Sequence, residues 1–599
     1  MTGKGNSRAG KWMLLIGLLA FTPRLHAQGK DDTVLRAMKD EMARSLSQLR
    51  LEQMDKPYFL AYRSDDVTRK DIAASLGSLT SSSGDPYRNR LISVELRVGD
   101  YTLDNSNFFS MQRLRGGPGA MFLGGIAQGA LDDDYGQIRR GFWLVTDRQY
   151  KNALEDLSAK KAALKMRNGG EAIPDFSKET PITLLEPAAA TTVDFAELEA
   201  LARSLSAVFR SAPEIERSSV DITYRSTYTR YVNSEGTVYT RSEPLIKLEV
   251  TARTQAQNGL PISDSFIVYG RTTGDLPSRE TLLVRTQGMA EQIVKLRSAS
   301  SLDRYNGPVL FEGAAAGELF VDQFAQRLAA SRTPMSDNSQ FEAFFNQMLE
   351  RLVGSSFQDR LGARVLPAFI SLRDDPAQAR FGGSILMGNS AIDDDGVKTR
   401  GTLIIDHGIL KNLLTSRVPV RGFLASSGSR HGGGAVPSNL FLTSEKSLSA
   451  NDLKKELLRL AKERGLDYAI VVRHLGGGSE SSLLEMAKQM ARQGSSESIA
   501  EVYKVYADGH EEPLRGIHIA ELPAESFKEI VATGEMPAVY SDELIGGVSA
   551  LFGGGAFPGN YLPVVSCVTP SLLFEEVSLA KTDGPFPALP TSKSPLAEK

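Results

Sequence analysis

The chain has 599 residues, 41% hydrophobic, 24% charged and 8% aromatic, a composition able to build large cores in roughly two to four domains. Lysine plus arginine (69) nearly balances aspartate plus glutamate (72), which argues against a strongly basic nucleic-acid binder and rules out an acidic disordered chain. A single cysteine excludes a disulfide scaffold and any multi-cysteine metal site within one chain.

Residues 1–27 read as a cleavable secretory signal. Lys4, Arg8 and Lys11 precede an apolar run from Trp12 to Phe21; Pro23 breaks the run, and cleavage is expected after Ala27. Losing Lys4, Arg8, Lys11 and Arg24, and no acid, takes the net charge from −3 to −7. No other stretch approaches 18 apolar residues, so a secreted or periplasmic protein without stable membrane insertion is expected.

The mature chain opens with an amphipathic helix expected over 31–53, with Val34, Leu35, Met38, Met42, Leu46 and Leu49 as its apolar stripe. Ile92, Val94, Leu96 and Val98 alternate as a strand, and Gly99-Asp100 is expected to turn into a second one. Six glycines between Gly116 and Gly129, closed by Asp132-Asp133-Asp134, read as a mobile surface insertion within 116–136. A charged helix over 143–167 should bury Leu154, Leu157, Ala162 and Leu164, and 168–192 should be a connector. Asp194, with Glu197 three residues on, marks a helix start. Strands around 219–231 and 239–253 flank the turn Asn233-Ser234-Glu235-Gly236, and a helix over 277–297 ends this half. From Pro308 the pattern is a strand, a helix, a helix at 340–353, and many short strands with glycine-rich turns, interrupted by helices near 450–465 and 480–493. The expected fold class is α+β. A mixed N-terminal domain (28–300, with insertions near 110–190) precedes a strand-rich C-terminal domain (301–583) and a disordered tail (584–599).

Six segments, in order along 190–580, resemble the TldD/PmbA family. They are Arg230–Val250 (RYVNSEGTVYTRSEPLIKLEV), Ile392–Arg417 (IDDDGVKTRGTLIIDHGILKNLLTSR), Ser426–Leu442 (SSGSRHGGGAVPSNLFL), the turn His474–Gly478, Tyr506–Gly516 and Thr569–Leu579. Residues 60–190 match poorly. The resemblance implies a two-domain α+β protein that pairs as a dimer around a cavity. It also implies a relation to zinc peptidases, whose active branch carries His-Glu-x-x-x-His on a helix and a distant cysteine ligand. Two imidazoles one turn apart would face the metal and the glutamate would polarise a water. The PmbA branch lacks these residues and acts as the partner subunit.

Here the corresponding stretch is VLFEGAAAGELFVDQF, Val309–Phe324. Counted without gaps, Glu312, Gly313 and Gly317 stand at the His, Glu and His positions. Shifted by five, Gly317, Glu318 and Asp322 do so. Neither register supplies two imidazoles, and glycine offers a metal nothing. Cys567 lies about eleven residues beyond the position, near Ala556, where the third ligand would be; it reads as a buried strand residue. His407 and the His510/His518 pair sit in turns or hairpins unsuited to metal, and His474 reads as structural. Asp393-Asp394-Asp395 reads as a turn cap, with calcium as the alternative. The Gly-Ser pairs at 428–429 and 478–479 lack the strand-to-helix context of a serine nucleophile. Arg430 and His431, in a glycine-rich loop, are the candidate contacts to a peptide.

The expectation is therefore an exported metallopeptidase-family protein with no bound cofactor. It would bind an unfolded peptide segment, or pair as a homodimer or with a zinc-bearing TldD-like paralogue. An active peptidase with a non-standard site and a non-enzymatic binding or structural protein are the alternatives.

Overall fold

The computed structural model describes residues 32–110, 125–167, 173–189, 193–353, 356–476, 498–544 and 562–597. The signal segment, the helix expected at 480–493, the glycines at 116–124, the position of Ala556 and part of the 168–192 connector fall outside these residues. The α-helices of the described residues are α1 (Thr33–Gln48), α2 (Tyr135–Met166), α3 (Phe195–Ala207), α4 (Arg279–Leu296), α5 (Ala314–Gln323), α6 (Ser339–Val353) and α7 (Ala450–Glu463). None among the described residues is long and apolar enough to cross a membrane.

The architecture is α+β, built on two large sheets. The first has eight strands, all between residues 57 and 270, and its main ladder runs antiparallel through Tyr87–Val98, Pro57–Ser75, Arg217–Asn233 and Val238–Gln255. Alternation gives this sheet two unlike faces. Tyr62, Ile72, Ile92, Val94, Val220, Ile222, Leu248 and Val250 bury against α1 to α4. The opposite face carries Arg63 and Asp65, Glu95 and Arg97, Thr229 and Tyr231, and Tyr239, Arg241 and Glu243, and it points at the C-terminal half. The turn Asn233–Gly236 is as expected, with the Asn233 carboxamide oxygen accepting from the N–H groups of Glu235 and Thr237.

The second sheet has twelve strands between residues 304 and 581, ordered around Val564–Lys581, which pairs with Arg304–Phe311, Ile530–Glu543 and Asn439–Ser444. Val309, Phe311, Leu572 and Phe574 face α5, whereas Leu310, Leu573 and Val471 face α7. Helix α5 is thus pressed into the middle of the molecule.

Four expectations need correction. Helix α1 stops at Gln48: Leu49 turns extended as its C-cap and still packs on the core, and Leu51 beyond it stays 45% exposed. Helix α2 begins at Tyr135, eight residues early, because the Asp134 carboxylate caps the Gln137 N–H at 2.7 Å. Its stripe is Ile138, Phe142, Val145, Tyr150, Ala153 and Leu157, and Ala162 is exposed. The acids thought to close a surface insertion therefore start a helix, and Ile126–Gln128 just before them is a strand. No second strand follows Gly99-Asp100 directly. Asp104 instead sinks into the interior and accepts from Tyr58, Arg97 and Ser106, which holds 99–107 as a loop. Within the connector, Thr183–Leu185 adds a short parallel strand beside Val238–Thr240.

Candidate functional site

Helix α5 and the two residues before it carry the positions aligned above with the metal motif. Glu312 and Gly313 precede it: Gly313 adopts φ +55° at its N-cap, and Glu312 is ion-paired to Arg473 at 2.9 Å. Gly317, Glu318 and Asp322 lie within the helix. An added Cβ on Gly317 would stand 2.6 Å from the Cβ of Tyr540.

The Glu318 carboxylate is fully engaged. One oxygen meets His474 Nδ1 at 2.5 Å, and the other accepts the Leu475 N–H at 2.6 Å. The far ring nitrogen, Nε2, lies 2.6 Å from the Ser265 carbonyl and 3.2 Å from Asp264, both on the first sheet. Burial alone would lower the His474 pKa, but Glu318 and Asp264 overrule it and hold the imidazole well above its ordinary range. The charged ring between two carboxylates ties α5 to the first sheet. Asp322 lies one turn beyond Glu318. Burial pushes its carboxyl pKa up, the Gln323 amide opposes this, and the Glu318 charge adds to it. Across from α5, Tyr540 and Tyr269 both donate to Asp542, whose carboxyl burial raises to about 6.

These residues do not fit a zinc ion. Gly317 has no donor and no room for one, and each Glu318 oxygen already holds a partner, His474 on one and the Leu475 N–H on the other. No group of three or more His, Cys, Asp or Glu among the described residues could hold a metal. Cys567 is fully buried in register with Tyr540, and burial raises its thiol to about 12, which disfavours the thiolate a metal needs.

The second candidate region lies where the Asp393–Asp395 turn meets the ionic face of the first sheet. Asp394 is ion-paired to Arg63 at 3.1 Å and accepts from Arg241 at 2.8 Å and from the Gly432 N–H at 2.9 Å. Burial would raise its carboxyl, but the two arginines hold it far below the usual carboxylate range. Asp393 caps the turn through the Asp395 and Val397 N–H groups. With these partners the turn is a capped loop clamped by arginine, which leaves calcium no open oxygens. Arg430 pairs with Asp395, and its guanidinium is only 13% exposed. His431 stands beside it in a two-residue strand. Burial lowers its pKa, Asp394 opposes that, and its buried Nε2 has no hydrogen-bond partner. The structure thus gathers Arg430, His431 and the Asp turn in one place, well away in sequence from the α5 group.

Two fastenings were not identified from the sequence. The Arg417 guanidinium, 1% exposed, forks onto Glu235 at 2.7 and 2.8 Å, donates to the Ser177 carbonyl and lies 4.0 Å from the Phe176 ring centre. The Glu318–His474–Asp264 chain is the other. Both partners of the first lie in segments singled out above, but nothing in one-dimensional spacing says that they meet.

Residues 304–581 match a family model described as the PmbA/TldA metallopeptidase C-terminal domain. Among solved structures, a putative modulator of DNA gyrase from Thermotoga maritima is similar over 91% of this chain and 99% of its own, at 15% identity and a TM-score of 0.55. TldE from Thermococcus kodakarensis is similar over 91% and 100%, at 12% identity and a TM-score of 0.52. A putative modulator of DNA gyrase from Bacteroides thetaiotaomicron covers 91% and 98%, at 11% identity and a TM-score of 0.50. No curated protein matches.

Proposed function

Because the chain belongs to the TldD/PmbA family, related to metallopeptidases, we propose that it is an exported, zinc-less member that serves as the partner or peptide-binding subunit of a peptidase assembly. The observation that carries the proposal is the state of α5. A glycine packed on Tyr540 stands where a ligand is required, and the one carboxylate placed to activate water is bound on both oxygens. Arg430 is already neutralised by Asp395, so a peptide would be met by the ring of His431 and by Glu243, which is paired with Arg241 at 2.9 Å but keeps its side chain 42% exposed. Export rests on the N-terminal segment, and cell fractionation checks it.

The test is metal analysis of the purified full chain together with a peptidase assay. We expect far less than one zinc per chain and no hydrolysis without a second protein. About one tightly held zinc per chain, the stoichiometry of a catalytic site, would overturn the proposal and favour the active-peptidase reading. Co-purification of a homologous chain bearing His-Glu-x-x-x-His would support it over the purely structural alternative.

A further inference from the structure

We propose that the groove between α2 and the edge strand Ile126–Gln128 docks an extended acidic peptide segment of a partner protein, which adds to the first sheet as a further strand. Ile126–Gln128 pairs with Leu91–Ser93 on one side only, and no strand among the described residues takes its other side. A cavity of about 320 Å³ opens between this edge and α2. Ile92, Ile138 and Val145 form an apolar floor, and the stripe Arg140, Leu144, Arg148 forms the wall. Leu144 is 45% exposed. Arg140 and Arg148 are exposed and form no ion pair among the described residues. Arg90, on the same rim, is occupied by Asp66 and Asp133.

The spacing decides what fits. Arg140, Leu144 and Arg148 are four residues apart, which is about 6 Å per step along a helix. Alternate residues on one face of a strand repeat every ~6.7 Å. A strand laid along the groove therefore presents its i, i+2 and i+4 side chains to these three in turn. The complementary pattern is acid, any residue, apolar, any residue, acid, and its symmetry suits either chain direction. Main-chain bonds to the open edge supply affinity that depends little on sequence, and the two arginines with Leu144 supply selectivity. A basic segment would meet two unneutralised guanidinium groups and be rejected. None of these residues touches α5, so the inference stands or falls apart from the zinc-less reading.

The test is fluorescence polarisation with the full chain and a labelled, end-capped peptide of sequence Thr-Thr-Asp-Thr-Leu-Thr-Glu-Thr-Thr. Saturable, salt-weakened binding is expected. Arg140→Glu with Arg148→Glu should weaken it by about tenfold or more, because two rim attractions become repulsions. Leu144→Glu, a second exposed change, should do likewise, and unaltered circular dichroism and melting would show both variants folded. A peptide with lysine for both acids, and one with proline on either side of the leucine, should not bind. The proposal is overturned by any of four results: no saturable binding, equal binding of the lysine peptide, undiminished binding of the proline peptide, or indifference to the arginine reversals. A wild-type dimer that the reversals convert to monomer would also overturn it, since a second copy would then fill the groove.

Discussion

Gly317→Ala tests whether α5 is sealed against the strand Ile530–Glu543. In an unobstructed helix, replacing glycine by alanine gains about 1 kcal/mol. Here the new Cβ would lie 2.6 Å from Tyr540 Cβ and 3.5 Å from Thr569 Cγ2. Unstrained carbon contacts need roughly 3.5–4.0 Å. Tyr540 Cβ is fixed by its own main chain, paired with Cys567, so the helix has to shift by about 1 Å to relieve the contact. Overpacking on this scale costs about 1–3 kcal/mol. The clash exceeds the propensity gain, and the expected net effect is a loss of about 1 kcal/mol. Gly288→Ala, on the exposed face of α4 with nothing within 4 Å of the new Cβ, should instead gain about 0.5–1 kcal/mol. Urea midpoints followed by far-ultraviolet circular dichroism read both signs. If Gly317→Ala stabilises as Gly288→Ala does, the steric half of the case against a metal ligand at this position is wrong.

The His474 linkage has a definite sign. Its folded pKa lies above the ordinary 6.5, so its stabilisation is complete below that pH and fades as pH rises through the folded value. His474→Gln should therefore cost most near pH 6 and progressively less in alkaline buffer, and a pH-independent cost in paired melting curves would contradict the ion-pair assignment. Glu235→Ala strips the partner from an almost wholly buried Arg417 and should cost about 3–5 kcal/mol in urea unfolding, whereas a loss below ~1 kcal/mol would show that this fork does not hold the two halves together.

Helices α1, α3, α4 and α7 were legible because each buries a stripe at three- and four-residue spacing. The strand Pro57–Ser75 was not. Arg63, Asp65, Asp66, Arg69, Lys70 and Asp71 break up its apolar alternation, since a charged face ordinarily means solvent. Here Asp65 is 2% exposed, because Arg63 and Thr229 satisfy it inside the protein. Periodicity reports which residues avoid water, and a face neutralised by partners far away in sequence leaves no such trace. The same limit applied to Glu235 and Arg417. Each lies in a segment recognisable on its own, yet the contact spans 182 positions. Start of helix α2 was hidden differently: Gly136 and Gly141 dilute its first turns, and the signal that remained was Asp134 as a cap.

On the zinc-less proposal, restoring ligands at α5 is not expected to restore chemistry. A glutamate that activates water needs an oxygen free to accept a proton. In Glu318 one oxygen is taken up by the ion pair with His474 and the other holds the Leu475 N–H. Freeing the first means breaking a buried ion pair, at a cost of about 3–5 kcal/mol, and it leaves His474 charged against Asp264 alone. The missing histidine and the occupied glutamate are thus one arrangement. The carboxylate that would serve hydrolysis instead joins α5 to the first sheet, and each gain in that tie makes the residue less available to water.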